Sequence, residues 1–365
     1  MSRKGRVLVA MSGGVDSSVA AMMLHEEGYE VIGITMKTWD YASSGVSKKE
    51  TGCCSLDSIN DARALAVRFG FPHFILDIRN EFGEHIIDNF VGEYLAGRTP
   101  NPCVLCNTHI KWEALLKRAD SLDCEFIATG HYARQRFENG RHLISRGLDH
   151  NKDQSYVLWG LSQASLSRTR FPLGHFKKEE IRKMAGEAGF MDLANKSESY
   201  EICFVPDNDY RAFLKHRVEG LEERVEGGDF VLSDGTFVGK HRGYPFYTIG
   251  QRKGLDIALG KQVFVLEIRP ETNTVVLGEK EELVKKTMMV RDINLMKYAE
   301  LPEDITALTK IRYKHDGTMA ILNHQPSGDM QVDFIDPVSG IAPGQSAVFY
   351  EGEDLLGGGF IKKQV

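Results

Sequence analysis

Residues 6–18 read Arg6-Val7-Leu8-Val9-Ala10-Met11-Ser12-Gly13-Gly14-Val15-Asp16-Ser17-Ser18. Val7 to Met11 form a short apolar run of the kind that makes a buried strand. The chain then turns through Ser12, Gly13 and Gly14 into Asp16-Ser17-Ser18-Val19-Ala20-Ala21-Met22-Met23-Leu24, a run rich in helix formers. Two glycines allow close backbone approach to a ligand and angles that a side chain forbids. A helix starting near Asp16 aims its first N–H groups and its positive dipole end back at the turn, which suits phosphate. The hydroxyls of Ser12, Ser17 and Ser18 are candidate additional donors. The loop is not G-x-x-x-x-G-K-[ST], because no lysine follows, nor G-x-G-x-x-G with a distant acid.

The chain of 365 residues is longer than one typical domain, so two or three are expected. Its 42% hydrophobic and 26% charged content fits a globular protein with a full core. No apolar run approaches the ~18–20 residues of a membrane helix. A phosphate turn starting at residue 12 leaves no room for a presequence, and the expected location is cytoplasmic. The net charge of −6 does not by itself suggest a nucleic-acid binder, although local basic patches suffice for that. Six cysteines (Cys53, Cys54, Cys103, Cys106, Cys124 and Cys203) are too few for a disulfide scaffold of this size.

Strand and helix patterns alternate over the first 150 residues. Strands are expected at Glu30–Met36, His73–Ile78 and Glu125–Thr129, with a polar loop from Lys37 to Ser55. Asp57–Phe69 places Ile59, Ala62, Leu65, Ala66 and Phe69 on one helical face, and Phe82, Ile86, Phe90 and Tyr94 recur at helical spacing. The fold class is therefore α/β, a parallel sheet covered by helices with ligands outside the carboxyl ends of its strands. Met36 and Gly130 fall at such ends. Gln135–Arg146 reads as a hairpin turning at Asn139-Gly140, and a helix follows near Lys177–Ala188. Beyond about Lys215 the chain becomes Gly-rich with short β-like runs, suggesting a small β-rich central domain and a C-terminal β-barrel. The expected division is 1–215, 216–285 and 286–365.

Two further stretches carry chemistry. Gly97-Arg98-Thr99-Pro100-Asn101-Pro102-Cys103-Val104-Leu105-Cys106-Asn107 sets Cys106 just before an expected helix, with Asn107 or Thr108 as its cap. A helix N-terminus stabilises a thiolate and improves it as a nucleophile. Glu201-Ile202-Cys203-Phe204-Val205 places a lone cysteine in an apolar run, which by itself reads as core. Cys124 reads as packing, and the adjacent Cys53 and Cys54 as loop thiols.

SGGVDSS resembles the pyrophosphate loop of ATP pyrophosphatases, which cleave ATP between the α and β phosphates and adenylate a substrate oxygen. Together with GRTPNPCVLCN, ATGHYAR, NKDQSYVLW, EICF, YTIGQRKGL and GQSAVFYEGEDLLGGG, it resembles the bacterial tRNA-specific 2-thiouridylases nearly end to end. The resemblance implies ATP-dependent replacement of the C2 oxygen of a wobble uridine by sulfur, in tRNAs for Lys, Glu and Gln, releasing AMP and pyrophosphate. It implies ATP contacts from Ala10, Met11, Ser12, Gly13, Gly14, Val15, Asp16, Ser17, Met36 and Gly130. It also implies tRNA contacts from Asn101, Pro102, Cys103, His131, Lys152, Asp153, Gln154, Arg312, Tyr313 and Gln345. Cys203 is expected to hold a persulfide received from a cysteine desulfurase or sulfur-relay protein, and Cys106 to resolve it.

Mg²⁺ is expected with ATP, and Asp16 is read as orienting the loop or the metal rather than as a base. A monomer is the default. Many family members carry an aspartate where this chain has Cys103, and the change creates C-x-x-C with Cys106. An iron–sulfur cluster or zinc held by Cys103, Cys106 and Cys203 is the minority reading. Arg168, Arg170, Lys177, Lys178, Arg182 and Lys183 form a basic stretch, and a strand through Lys310, Arg312 and Lys314 would present them together to phosphates. Two other classes fit parts of the pattern: an adenylating ligase for a small molecule, and a tRNA-binding or sulfur-carrier protein without catalysis.

Overall fold

A computed structural model describes residues 4–39, 55–196, 202–205 and 208–363. Cys53, Cys54 and most of the expected polar loop lie outside them. The apolar run forms strand β1 (Arg6–Ala10), and helix α1 (Val15–Glu26) follows the glycine turn. Then come β2 (Glu30–Lys37), α2 (Leu56–Phe69), β3 (His73–Asp77), helical runs α3 (79–95) and α4 (102–121), and β4 (Phe126–Ala128). A hairpin β5 (Ala133–Glu138) and β6 (Arg141–Arg146), a short β7 (Thr169–Arg170) and α5 (Lys178–Glu187) complete this part.

Five parallel strands pair in the order β3-β2-β1-β4-β7, so β1 lies at the centre. Alternation along β1 explains its burial on both faces. Val7 and Val9 face a cluster with Val19, Ala62, Leu65 and Ile181, while Leu8 faces one with Trp112, Leu115 and Tyr350. The helical spacing in α3 is realised, since Phe82, Ile86, Phe90 and Tyr94 are all buried.

The β-rich remainder forms two sheets. In the central one, β8 (Gly228–Leu232), β9 (Phe237–His241), β10 (Phe264–Arg269) and β11 (Thr274–Gly278) take the order β10-β11-β8-β9. It packs on α3 in a cluster that joins Phe90 and Cys106 to Phe230, Val265 and Leu277. The C-terminal strands β12 (Val284–Leu295), β13 (Ile305–Lys310), β14 (Thr318–His324), β15 (Met330–Ser339), β16 (Ser346–Glu351) and β17 (Asp354–Ile361) close into a six-stranded antiparallel barrel through β12–β17 pairing. The fold class expected from sequence is thus observed.

The β5–β6 hairpin turns at Asn139-Gly140 as expected, with φ of 50° and 76°. It leaves the parallel sheet and extends the barrel wall at Asp354↔Ser145. Arg136 grips both Asp354 oxygens at 2.7 and 2.8 Å, while Ser145 Oγ at 2.7 Å and Lys297 Nζ at 2.8 Å donate to them as well. These donors, Arg136 first, hold the Asp354 carboxyl well below the usual carboxylate range. A depressed folded-state pKa stabilises the fold above the unfolded carboxylate value, and that stability is lost as pH falls toward the folded one. Asp354→Asn should therefore cost about 2–3 kcal/mol at neutral pH, shrinking as the wild type is acidified below about pH 4. Urea unfolding of both proteins across pH measures the gap, and a pH-independent difference would refute the charge origin.

Candidate active site

The turn after β1 enters α1 from Gly14, which is extended, and no side chain caps the helix. Its first-turn N–H groups face the end of the sheet where parallel α/β folds bind ligands. Gly13 has φ +69°, and a Cβ there would lie 2.0 Å from the Ser58 carbonyl oxygen on α2. A Cβ at Gly130 would lie 2.8 Å from Ser17 N, so the end of β4 presses on the start of α1. The cradle is thus shaped by glycines with no room for a side chain. Ala10 and Met11 lead into it, and Thr35 Oγ1 donates to the Met11 carbonyl at 2.8 Å beside Met36.

The three hydroxyls differ from expectation. Ser17 Oγ accepts from Ser12 N at 3.0 Å and donates to Gly14 O at 3.2 Å, so it braces the loop internally. Ser18 is buried with its Oγ unpartnered, and only Ser12 is exposed. Backbone N–H groups therefore carry the donor capacity of the turn.

Asp16 is held by groups distant in sequence. Lys178 Nζ contacts both of its oxygens at 2.7 Å, and Tyr132 OH donates to Oδ1 at 2.7 Å. Lys196 Nζ secures the other side of the turn by donating to Gly13 O at 3.0 Å and pairing with Asp61 at 2.6 Å. The basic stretch expected to face RNA is largely engaged inside the fold. Lys178 clamps Asp16, Arg168 bonds Asp120 and the Cys124 and Glu125 carbonyls, and Arg170 stacks on Phe126 at 3.8 Å. Arg182 bonds the Ala194 and Lys196 carbonyls. Sequence reading passed over Lys178 and Tyr132 as partners of Asp16. The available signal was a carboxylate in a tight turn, which demands a cation from somewhere.

Cys106 does not precede its helix. The helical run starts at Pro102, where a missing N–H costs nothing. It winds more widely over Cys106–Lys111 and resumes as α-helix from Trp112 to Ser121. Asn107 and Thr108 are inside the run, donating to the Val157 and Val104 carbonyls at 3.0 and 2.9 Å, and do not cap it. Cys106 is buried, and the first turn belongs to Cys103, which is exposed. Protein packed around Cys103 desolvates its thiol and raises its pKa, with Lys111 pulling the other way. Burial likewise lifts the Cys124 thiol to about 11, in keeping with a packing role.

Cys203 is exposed, while Phe204 and Val205 beside it are buried in the cluster that contains Cys106. Phe204 meets Phe90 and Phe82 with ring centroids 5.1 and 5.6 Å apart. Among the described residues no group of three or more His, Cys, Asp or Glu is arranged to hold a metal ion. The cluster or zinc reading of the three cysteines gains no support.

Several of the residues singled out for tRNA bridge the first domain and the barrel. Asn101 Nδ2 donates to Ser346 Oγ at 3.3 Å, and Gln345 Nε2 donates to the Pro100 and Thr99 carbonyls at 2.8 and 3.2 Å. Tyr313 OH donates to the Asp153 carbonyl at 3.0 Å. The Asp153 carboxylate is buried, accepting from Gly147 N, Ser155 N and Ser155 Oγ. Gln154 Oε1 accepts from Tyr132 N at 3.1 Å, and Lys152 is half-buried next to it. His131 is within 2.8 Å of Thr129 Oγ1 and beside Trp112; burial lowers its pKa to about 3, so it is neutral at physiological pH. The strand expected through Lys314 ends at Lys310. Ile311 turns inward and Arg312, Tyr313 and Lys314 sit exposed in the turn before β14, so they do not share a strand face with Lys310.

A parallel-sheet domain with a glycine phosphate turn, followed by two β-rich domains, defines a nucleotide-loop enzyme with appended barrels. Family models match in the same order: the tRNA methyl transferase HUP domain over residues 5–207, its PRC-barrel domain over 211–279, and the aminomethyltransferase beta-barrel domain over 285–361. The tRNA-specific 2-thiouridylase MnmA of Cytophaga hutchinsonii is 68% identical, covering 99% of this chain and 98% of that protein. The namesakes from Amoebophilus asiaticus and Salinibacter ruber are 65% and 62% identical over 99% of this chain, and 96% and 95% of theirs. The chain belongs to the tRNA-specific 2-thiouridylase family, as its motifs imply.

Two outcomes test the site. Gly13→Ala should strain the turn by about 1–3 kcal/mol, read by calorimetry as roughly 10- to 100-fold weaker ATP binding; unchanged affinity would place the nucleotide elsewhere. Lys178→Met should destabilise the protein by about 1–3 kcal/mol, and most of that loss should vanish in an Asp16→Asn background. Additive losses in that double-mutant cycle would disprove the clamp.

Proposed function

We propose that the chain replaces the C2 oxygen of a tRNA wobble uridine by sulfur, using ATP. The observation that carries this reading is the presence, in one family fold, of a glycine-shaped phosphate cradle and of two cysteine segments that share one packed cluster. ATP would lie with its phosphates against the backbone from Ser12 to Ser17, bounded by Gly130, and with Met36 at the neighbouring strand end. Mg²⁺ would arrive on the phosphates, as that ion usually does; Asp16 is already taken up by Lys178 and does not fit as its ligand.

The uridine C2 oxygen attacks the α-phosphorus and pyrophosphate leaves. The terminal sulfur of a Cys203 persulfide then adds to C2, and AMP leaves with the original oxygen. Cys106 thiolate attacks the Cys203 sulfur, which frees the thiocarbonyl and leaves a Cys106–Cys203 disulfide. Exposure of Cys203 suits sulfur delivery by a desulfurase or relay protein, and burial of Cys106 keeps the resolving thiol from competing for it. An anticodon loop lets the base turn out of its stack at low cost. Asn101, Pro102, Cys103, His131, Lys152, Asp153, Gln154, Arg312, Tyr313 and Gln345 would contact tRNA, of the Lys, Glu and Gln type. We divide the chain at 1–215, 216–285 and 286–365, and place it in the cytoplasm as a monomer. No helix among the described residues is long and apolar enough to cross a membrane.

Mass spectrometry of nucleosides tests the reading, using unmodified tRNA incubated with protein, ATP and a persulfide donor. 2-Thiouridine should form with wild-type protein and fall at least about 100-fold in Cys106→Ser and Cys203→Ser, the scale of losing a catalytic nucleophile. AMP release onto a small acceptor, with tRNA unchanged, would instead reveal an adenylating ligase.

A further inference from the structure

Cys103 has no task in that sequence of steps, yet it occupies the first turn of the helix that carries Cys106. The Cys106 N–H donates to the Cys103 carbonyl, so the two residues stand one above the other across a single turn. Their exposure is opposite: Cys106 is buried in the apolar cluster and Cys103 is open to solvent. We propose that Cys103 is a third thiol of the cycle, attacking Cys106 in the Cys106–Cys203 disulfide and returning Cys203 to the reduced state that accepts the next sulfur. This rests on the function proposed above.

The exchange is balanced. Cys103 thiolate forms a bond to the Cys106 sulfur as the Cys106–Cys203 bond breaks, and Cys203 leaves as thiolate with no net oxidation. A dithiol reductant of the cytosol then attacks the exposed Cys103 sulfur of the new disulfide and restores both thiols. Reduction at Cys203 itself would leave a mixed disulfide, for a time, on the residue that must receive sulfur. Routing reduction through Cys103 keeps Cys203 clear.

The geometry allows it at modest cost. Residues three apart on a helix have Cβ atoms about 5–6 Å apart, and a disulfide needs about 3.8 Å. The first turn must tighten by about 1–2 Å. Asn101 makes no capping bond there, and the winding changes at Cys106. The attacking species is the thiolate, so the exchange should quicken as pH rises above neutrality.

The test is a quenched single turnover on tRNA with persulfide-loaded protein, followed by alkylation and disulfide mapping by mass spectrometry. Disulfide is counted per 2-thiouridine formed. Wild-type protein should accumulate Cys103–Cys106, increasingly at higher pH. Cys103→Ser and Cys103→Asp should retain Cys106–Cys203, and with a dithiol present their later turnovers should slow roughly tenfold relative to their own first. Using both variants separates a thiol role from a merely polar one, and their ATP affinity confirms folding. Equal Cys106–Cys203 in wild type and variants, or undiminished later turnovers in the variants, would overturn the proposal. If wild-type protein yields 2-thiouridine with neither disulfide, or none at all, the underlying resolving step fails instead.

Discussion

The paired contact of Lys178 with Asp16 is the constraint on which the site depends. Ser17 braces the phosphate turn from within and Lys196 holds Gly13 O, but its glycines contribute no side chains. A carboxylate at the mouth of α1 would by itself repel phosphate, and Lys178, only 9% exposed at its side chain, neutralises it from α5. Tyr132 makes the third contact and carries the constraint onward. Its OH holds Asp16, its backbone bonds Gln154 in both directions, and the neighbouring Asp153 carbonyl receives Tyr313 from the barrel. One unbroken set of hydrogen bonds thus runs from the nucleotide turn to the C-terminal domain. The position of the seam between the first domain and the barrel relative to the turn depends on these few groups.

Much of the first domain was legible because its signals are local. The apolar run before Gly13-Gly14, the Phe82-Ile86-Phe90-Tyr94 spacing and the Asn139-Gly140 turn each follow from chain geometry alone. Cys106 was misplaced because Pro102 reads equally as a loop residue or as the first residue of a helix, and only packing of Val104 against Trp112 and Leu115 decides between them. Lys178 and Arg168 looked like a patch because sequence records charge and not the partner across the fold. Lys310 and Arg312 were separated because strand pairing stops at Lys310 and the chain bends from Ile311 onward.

The closing Gly357-Gly358-Gly359 shows the opposite case, in which a pattern that weakens a strand marks a structural requirement. Cβ atoms there would fall 2.2 Å from Asn294 O, 2.8 Å from Trp159 Cγ and 2.5 Å from Arg291 O. Only a strand without side chains can pair with β12 and close the barrel while Trp159 of the first domain packs against it. The same strand begins at Asp354, where the hairpin is gripped. Barrel closure and interdomain attachment are therefore properties of one strand. A substitution in the glycine run should disturb both together.

The thiols follow from the same packing. Phe204 and Val205 bury their own side chains in the cluster that also contains Cys106, while Cys203 beside them stays exposed. Anchoring by Phe204 and Val205, rather than by the cysteine, leaves the thiol accessible from outside. Cys106 is one turn deeper in a helix whose first turn holds Cys103 at the surface. In the cycle proposed above, exposed Cys203 would accept sulfur, buried Cys106 would resolve the persulfide and Cys103 at the surface would pass electrons out.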